Sequence, residues 1–379
     1  MTEKNQDQAF AYTPGLKIKM ATLVEKERKL PLKGTVLVNL GDEVDPYTNV
    51  AFTTIAGDPH IVDAAINMGI LPETLPEVMV KKIGSPVEKG DQLCEYKMLF
   101  GLIKRSVNSP IKGTLESVSE ITGRIIIRSE PIPVNMEAYI PGKIKEILPE
   151  EGAVIETNAA FIQGIFGISG ERHGVIKVVT ESRDEQLTAD HITDEHKDCI
   201  VVGGSLINIA AITKGIRVGV AGIVGGGINT TDLTKFMGAE VGVAITGEEK
   251  IGLTLIITEG FGSMSMHQKT YDILKKYEGY HAAMNGETQI RAGVIRPEII
   301  IPHPEVFETD QDAISAGMVS GTPIRIIRNP YFGAIGAVVE LPIELQRLES
   351  GSKVRVLKAQ LADGSIVTVP RANVEIIEE

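Results

Sequence analysis

The sequence predicts a mixed α and β multidomain chain. It divides into a β-rich region over 9–180, an acidic linker over 181–198, an α/β domain with a largely parallel sheet over 199–304, and a small C-terminal β-barrel over 321–379. Three observations predict this. Short alternating strands with Gly-Asp or Pro-Gly turns fill the first 170 residues, apolar runs ending in glycines alternate with helical stretches after 198, and short alternating strands return after Gly321. Length agrees, since 379 residues exceed one ordinary domain.

Composition bounds the function. Lysine plus arginine number 38 against 50 aspartates and glutamates, a net of −12, which argues against a general nucleic-acid coat or a polybasic membrane binder. Hydrophobic content of 43% with 23% charged residues is that of an ordinary globular protein. Aromatics are 4% with no tryptophan, too few for an extended base-stacking platform. The two cysteines, Cys94 and Cys199, can form neither a disulfide framework nor a thiolate metal cage. With a polar N-terminus and no apolar run of bilayer length, the expectation is a soluble cytoplasmic protein without membrane contact.

In the first region four stretches repeat one grammar of turn, short strand, glycine or acidic turn, and short strand. They begin at Lys33, Val80, Ser109 and Pro141. That pattern suits a barrel or sandwich of short hairpins. Val87 to Leu93 (VEKGDQL) followed by Ser109 to Leu115 (SPIKGTL) resembles the half-motifs of barrel-sandwich hybrid domains. These include biotinyl and lipoyl carriers and the N-terminal part of the C subunit of Rnf-type electron-transport complexes. The resemblance implies such a fold over about residues 30–170, and in the carriers a lysine at the hairpin tip is modified. Lys97 invites that role, but the Cys94 to Ser109 hairpin is longer than a carrier's turn and would not place it at the tip. No cofactor is expected.

The stretch 181–198 holds seven acidic and two basic residues and reads as a solvated linker or exposed helix. His191 and His196 sit there among carboxylates, five apart, a spacing that puts their rings on diverging helical faces, so no metal is expected. After it come apolar strands at Cys199 to Val202, Val218 to Val224, Val241 to Ile245 and Leu253 to Ile257. Helices are expected from Leu206 to Ile216, from Asn229 or Thr230 to Met237, and from His267 to Tyr277, the last capped by Ser265.

Strand ends rich in glycine let a ligand approach the backbone, and following helix N-termini favour an anion. The candidate positions are Gly203, Gly204, Ser205, Gly225, Gly226, Gly227, Asn229, Thr230, Thr246 and Gly247. They match neither the dinucleotide fingerprint nor the phosphate-binding loop closed by Lys-Ser/Thr, so tight strand-to-helix turns are the plainer explanation. No catalytic set is assembled in the sequence. Glu259, Ser263, Ser265 and His267 lie close together but lack a nucleophile elbow, and Arg291 and Arg296 read as carboxylate or phosphate ligands or as surface ion pairs.

Gly321 to Val339 (GTPIRIIRNPYFGAIGAVV) resembles the KOW motif of NusG-type transcription factors and ribosomal proteins, carried on an SH3-like barrel. The resemblance implies contact with RNA or protein through the loop 329–333. The candidate contacts are Arg325, Arg328, Asn329, Tyr331, Phe332 and Gly333. The 321–379 module is neutral, with seven basic and seven acidic residues, so RNA contact through it would be weak and salt-sensitive. Packing of this module on its own neighbours is the plainer role for the same residues. Three functions stand open: a non-catalytic binding or assembly protein, self-associating or partnered; an RNA- or ribosome-associated factor; and an enzyme or binder of a small anionic ligand at the strand ends.

Overall fold

Alternating and fully apolar stretches of this chain become strands of one large mixed sheet. The computed structural model describes residues 16–98, 103–237, 251–288, 295–304, 318–326, 331, 334–342, 345–347, 353–361 and 364–376. The protein is strand-rich mixed α/β, and its largest sheet has 12 strands. Across that sheet the order is Phe166–Ile168, Thr254–Phe261, Gly222–Ile228, Cys199–Val202, Glu171–Val178, His281–Asn285, Glu298–Pro302, Gly152–Gln163, Gly142–Leu148 and Glu43–Val44. Ile18–Lys29 also pairs with Gly152–Gln163, and Leu206–Ile207 with Gly222–Ile228. Pairings from Glu171–Val178 through Thr254–Phe261 are parallel, whereas those on the other side are antiparallel.

Burial follows from this topology. Cys199–Val202 and Gly222–Ile228 are buried at every position because both faces of the parallel half are covered. Alternation sends Ile200 and Val202 toward the helix Gln268–Lys276, and Val201 toward the helices Ile209–Val218 and Thr230–Met237. Farther along, Ala159, Ala283 and Ile300 pack against Val44, Val50, Tyr139 and Ile140 of the N-terminal β region. The sheet therefore serves as a common wall for helices and for a β lobe.

That lobe adds a four-stranded sheet in the order Pro59–Val62, Ile125–Arg128, Gly113–Val118, Pro86–Val87, and a three-stranded one of Ile132–Glu137, Asn49–Ile55 and Thr35–Val36. The hairpin Gln92–Met98 with Ile103–Asn108 completes it. The C-terminal module is a five-stranded antiparallel sheet in the order Ile366–Pro370, Val356–Leu361, Ile335–Glu340, Pro323–Ile326, Val374–Ile376, around its own apolar cluster.

Several expectations change. Strands on both sides of 181–198 belong to the same sheet, with Val175 to Val178 paired to Cys199 to Val202, so the acidic stretch joins two adjacent strands. It is built of two short 3-10 turns rather than a helix. The glycines 225–227 lie inside the strand Gly222–Ile228 and not at its end. The helix expected from Leu206 begins at Ile209, where the Asn208 side chain accepts the Ala210 N–H at 2.8 Å. Ser265 does not cap the helix Gln268–Lys276; the Glu259 carboxylate accepts the His267 N–H at 2.9 Å. The expected strand from Val241 to Ile245, with Thr246 and Gly247, lies outside the described residues.

Candidate functional site

Of the strand-end positions proposed from sequence, 203–205 and 225–227 come together, and the chain's own backbone pairs with them. Gly226 N–H donates to the Gly204 carbonyl at 3.2 Å and Gly227 N–H to the Ser205 carbonyl at 2.9 Å. Gly203 N–H donates to the Val224 carbonyl, and Ser205 N–H to the Glu185 carbonyl, both at 2.8 Å. The Ser205 hydroxyl donates to the Asp184 carbonyl at 2.8 Å. A Cβ on Gly226 would fall 2.1 Å from the Met264 carbonyl oxygen, so glycine is required there by close approach of the chain's own backbone. The Asn229 side chain donates to Asp232, at 3.4 Å, and Thr230 begins the helix Thr230–Met237. Tight backbone packing accounts for these glycines.

The basic candidates of the C-terminal module separate. Arg325 is not at a surface: it is 1% exposed, the largest fully buried side chain among the described residues. Its guanidinium pairs with Glu259 and, at 3.4 Å, with Glu375, and it also donates to the Thr258 carbonyl at 3.3 Å. Glu375 is paired in turn with Arg296 at 2.7 Å. Glu259 belongs to the large sheet, whereas Arg325 and Glu375 face each other on neighbouring strands of the module. A cation expected for RNA is thus consumed in fastening the module to the body, because burying it demands carboxylate partners. Tyr331 is exposed, while Arg328, Asn329, Phe332 and Gly333 lie outside the described residues.

The histidines of the acidic stretch are also structural. His191 Nδ1 accepts the Thr188 N–H at 3.1 Å and His196 Nδ1 the Thr193 N–H at 3.0 Å, each closing its own 3-10 turn. Among the described residues no group of three or more His, Cys, Asp or Glu is placed to hold a metal ion. Lys97 sits within the strand Gln92–Met98, paired with Glu95 at 3.0 Å.

An open cleft of about 380 Å³ lies elsewhere, between the N-terminal β lobe and the large sheet. The sheet supplies His173, His281, Ala282, Ala283 and Pro302. His173 pairs across strands with Ala283, and Val175 with His281, so both imidazoles project from the face that carries Ala283. Opposite them stand Asp45, Pro46, Tyr47 and Pro141. The Asp-Pro-Tyr-Thr turn is locally determined: Asp45 Oδ1 accepts the Tyr47 N–H at 2.8 Å, and Thr48 N–H donates to the Asp45 carbonyl at 3.2 Å.

One strained residue ties the two walls together. Tyr139 has φ of 69°, a conformation that costs a bulky residue about 1–3 kcal/mol. Its N–H donates to the Pro46 carbonyl at 2.9 Å, and its carbonyl accepts His173 Nε2–H at 2.7 Å. A carbonyl can only accept, so Nε2 carries the proton, and in the neutral ring Nδ1 is an acceptor. The Tyr47 ring meets His173 edge to face with centroids 5.1 Å apart. Behind the site the Arg28 guanidinium lies over the Tyr139 ring at 5.2 Å and grips Glu171 through two bonds of 2.6 and 2.8 Å. Burial pushes the Tyr139 phenol well above its ordinary pKa, with Glu298 and Glu171 adding to the effect.

None of these cleft residues stands out in sequence. Asp45-Pro46-Tyr47 reads as an ordinary turn, and the two histidines are more than a hundred residues apart. Only the alternation around His173 (ERHGVIKV) and His281 (HAAMN) hints that each faces one side of a strand. The fold and the cleft together define a strand-rich α/β protein with filled strand ends and an open junction between lobes. No protein-family profile matches the chain, and no curated protein matches it. Among the described residues no helix is long and apolar enough to cross a membrane.

Proposed function

We propose that the chain is a non-catalytic binding and assembly protein whose small β modules are built onto a central α/β body and whose ligand occupies the cleft between the N-terminal lobe and the large sheet. The carrying observation is the cleft itself, a concave, proline-lined space at a junction between lobes with a few convergent polar groups, which is where ligand sites commonly form. In this reading the N-terminal lobe is a barrel-sandwich hybrid. Its two half-motifs lie side by side, with Pro86 and Val87 paired to Thr114 and Gly113. The C-terminal module is read as a KOW-type SH3-like barrel docked through Arg325, leaving Tyr331 as its exposed contact for a partner protein or a second copy.

The test is a thermal-melt screen of the purified chain against small metabolites of varied charge, with the cleft-filling variant His281→Trp alongside, at an exposed lining position. We expect compounds that raise the melting temperature of the natural chain and not of the variant. If every stabilising compound acts equally on both, the cleft is not the binding place. Copurifying nucleic acid, seen as a raised absorbance ratio at 260 over 280 nm, would favour the RNA-associated reading instead.

A further inference from the structure

We propose that the cleft takes a small organic ammonium ion with an apolar body; the proposal rests on the binding reading above and names its ligand class. Four observations point the same way. No lysine or arginine lines the cleft among the described residues, so an anion would meet no fixed positive charge. The nearest guanidinium described beside it, Arg28, is already committed to Glu171 and the Tyr139 ring. Asp45, by contrast, is a carboxylate with no ion pair among the described residues; its Oδ1 accepts the Tyr47 N–H, which leaves Oδ2 for a cation. His173 also lines the cleft, and in its neutral ring Nδ1 is an acceptor, since the Nε2 proton is held by the Tyr139 carbonyl.

The remaining walls suit the rest of such a molecule. Tyr47 is 62% exposed and brings an aromatic ring whose negative face attracts ammonium groups. Pro46, Pro141 and Pro302 offer apolar surface without hydrogen-bond donors, because proline has no N–H. A net charge of −12 favours the approach of cations. A bare metal ion is a poorer fit, as the described residues offer no cluster of three or more ligating side chains. A carboxylate, an aromatic ring, an imidazole and proline surfaces lining one cleft therefore suit one positive, apolar-bodied guest.

Isothermal titration of the full chain with three isosteric probes tests this: choline, the neutral 3,3-dimethylbutan-1-ol, and the anionic 3,3-dimethylbutanoate. We expect choline to bind at least tenfold more tightly than either isostere. Asp45→Asn and Tyr47→Leu should each weaken choline fivefold or more while leaving the neutral isostere within twofold. Tyr47 is exposed, so Tyr47→Leu keeps the test valid if Asp45→Asn disturbs its turn. Equal or tighter binding of the alcohol or the carboxylate, lost in His281→Trp, would overturn the cation assignment and leave the cleft as a binding site. Choline binding that survives His281→Trp would overturn the site as well, and no binding of any probe would overturn the ammonium proposal.

Discussion

Replacing Arg325 by methionine tests how the C-terminal module is held. Methionine keeps most of the side chain's length and apolar stem but removes the guanidinium. Glu375 would retain Arg296 at 2.7 Å, whereas Glu259 would keep the His267 N–H and, among the described residues, lose its charged partner. Both carboxylates are within 2% of full burial, so water cannot rescue them. Removing one partner of a buried pair costs about 3–5 kcal/mol, because the other charge is left uncompensated. The double variant Arg325→Met/Glu259→Gln removes that stranded charge and should recover part of the loss, giving a favourable coupling of about 1–3 kcal/mol. Urea denaturation followed by far-ultraviolet circular dichroism and by tyrosine fluorescence reads the change. Raising salt from 0.1 to 0.5 M should alter it little, since screening acts weakly on buried charges. A single-variant cost within about 0.5 kcal/mol, the range of ordinary surface substitutions, would refute the reasoning. So would a double variant less stable than the single one.

Three further outcomes follow from local geometry. Gly226→Ala forces a Cβ to 2.1 Å from the Met264 carbonyl oxygen and should cost about 1–3 kcal/mol or more in urea denaturation. Gly84→Ala, with φ of 84° and nothing within 4 Å of the added atom, should cost only the left-handed backbone penalty of about 1–2 kcal/mol. Finding the second substitution worse than the first would contradict the close-approach account. Asn208→Ala removes the cap on the Ala210 N–H and should lower stability by about 1 kcal/mol. Burial pushes the Cys94 and Cys199 thiols up, which keeps them protonated at pH 8, so iodoacetamide should label the native chain slowly and the urea-unfolded chain quickly. Complete labelling of the native protein at the unfolded rate would show that these thiols are accessible.

Local features were legible wherever a short stretch decides its own conformation. The apolar run Cys199–Val202 forms a buried strand, and Thr230–Met237 and Gln268–Lys276 are helices close to where periodicity puts them. Capping was less legible, because Glu259 reaches the His267 N–H from a neighbouring strand while Ser265 is merely adjacent in sequence. The glycines at 225–227 read as a strand end for a ligand or a turn, whereas they lie inside the strand Gly222–Ile228. What approaches Gly226 and Gly227, the Met264 and Gly262 carbonyls, depends on how the chain returns over the strand.

Composition and periodicity by themselves determined that this is a strand-rich mixed chain with an acidic balance, because side-chain alternation and glycine freedom act over a few residues. Tertiary structure alone decided that strands from both sides of 181–198 share one sheet and that Arg325 is an internal fastener rather than a surface cation. Its partners Glu259 and Glu375 lie 66 and 50 residues away in sequence. The cleft likewise exists only where Asp45, Pro141, His173 and His281 are brought together. A buried charge is tolerable only beside its counterion, and a cavity only between elements that have already packed. Both conditions are set by long-range pairing, to which local sequence pattern is blind.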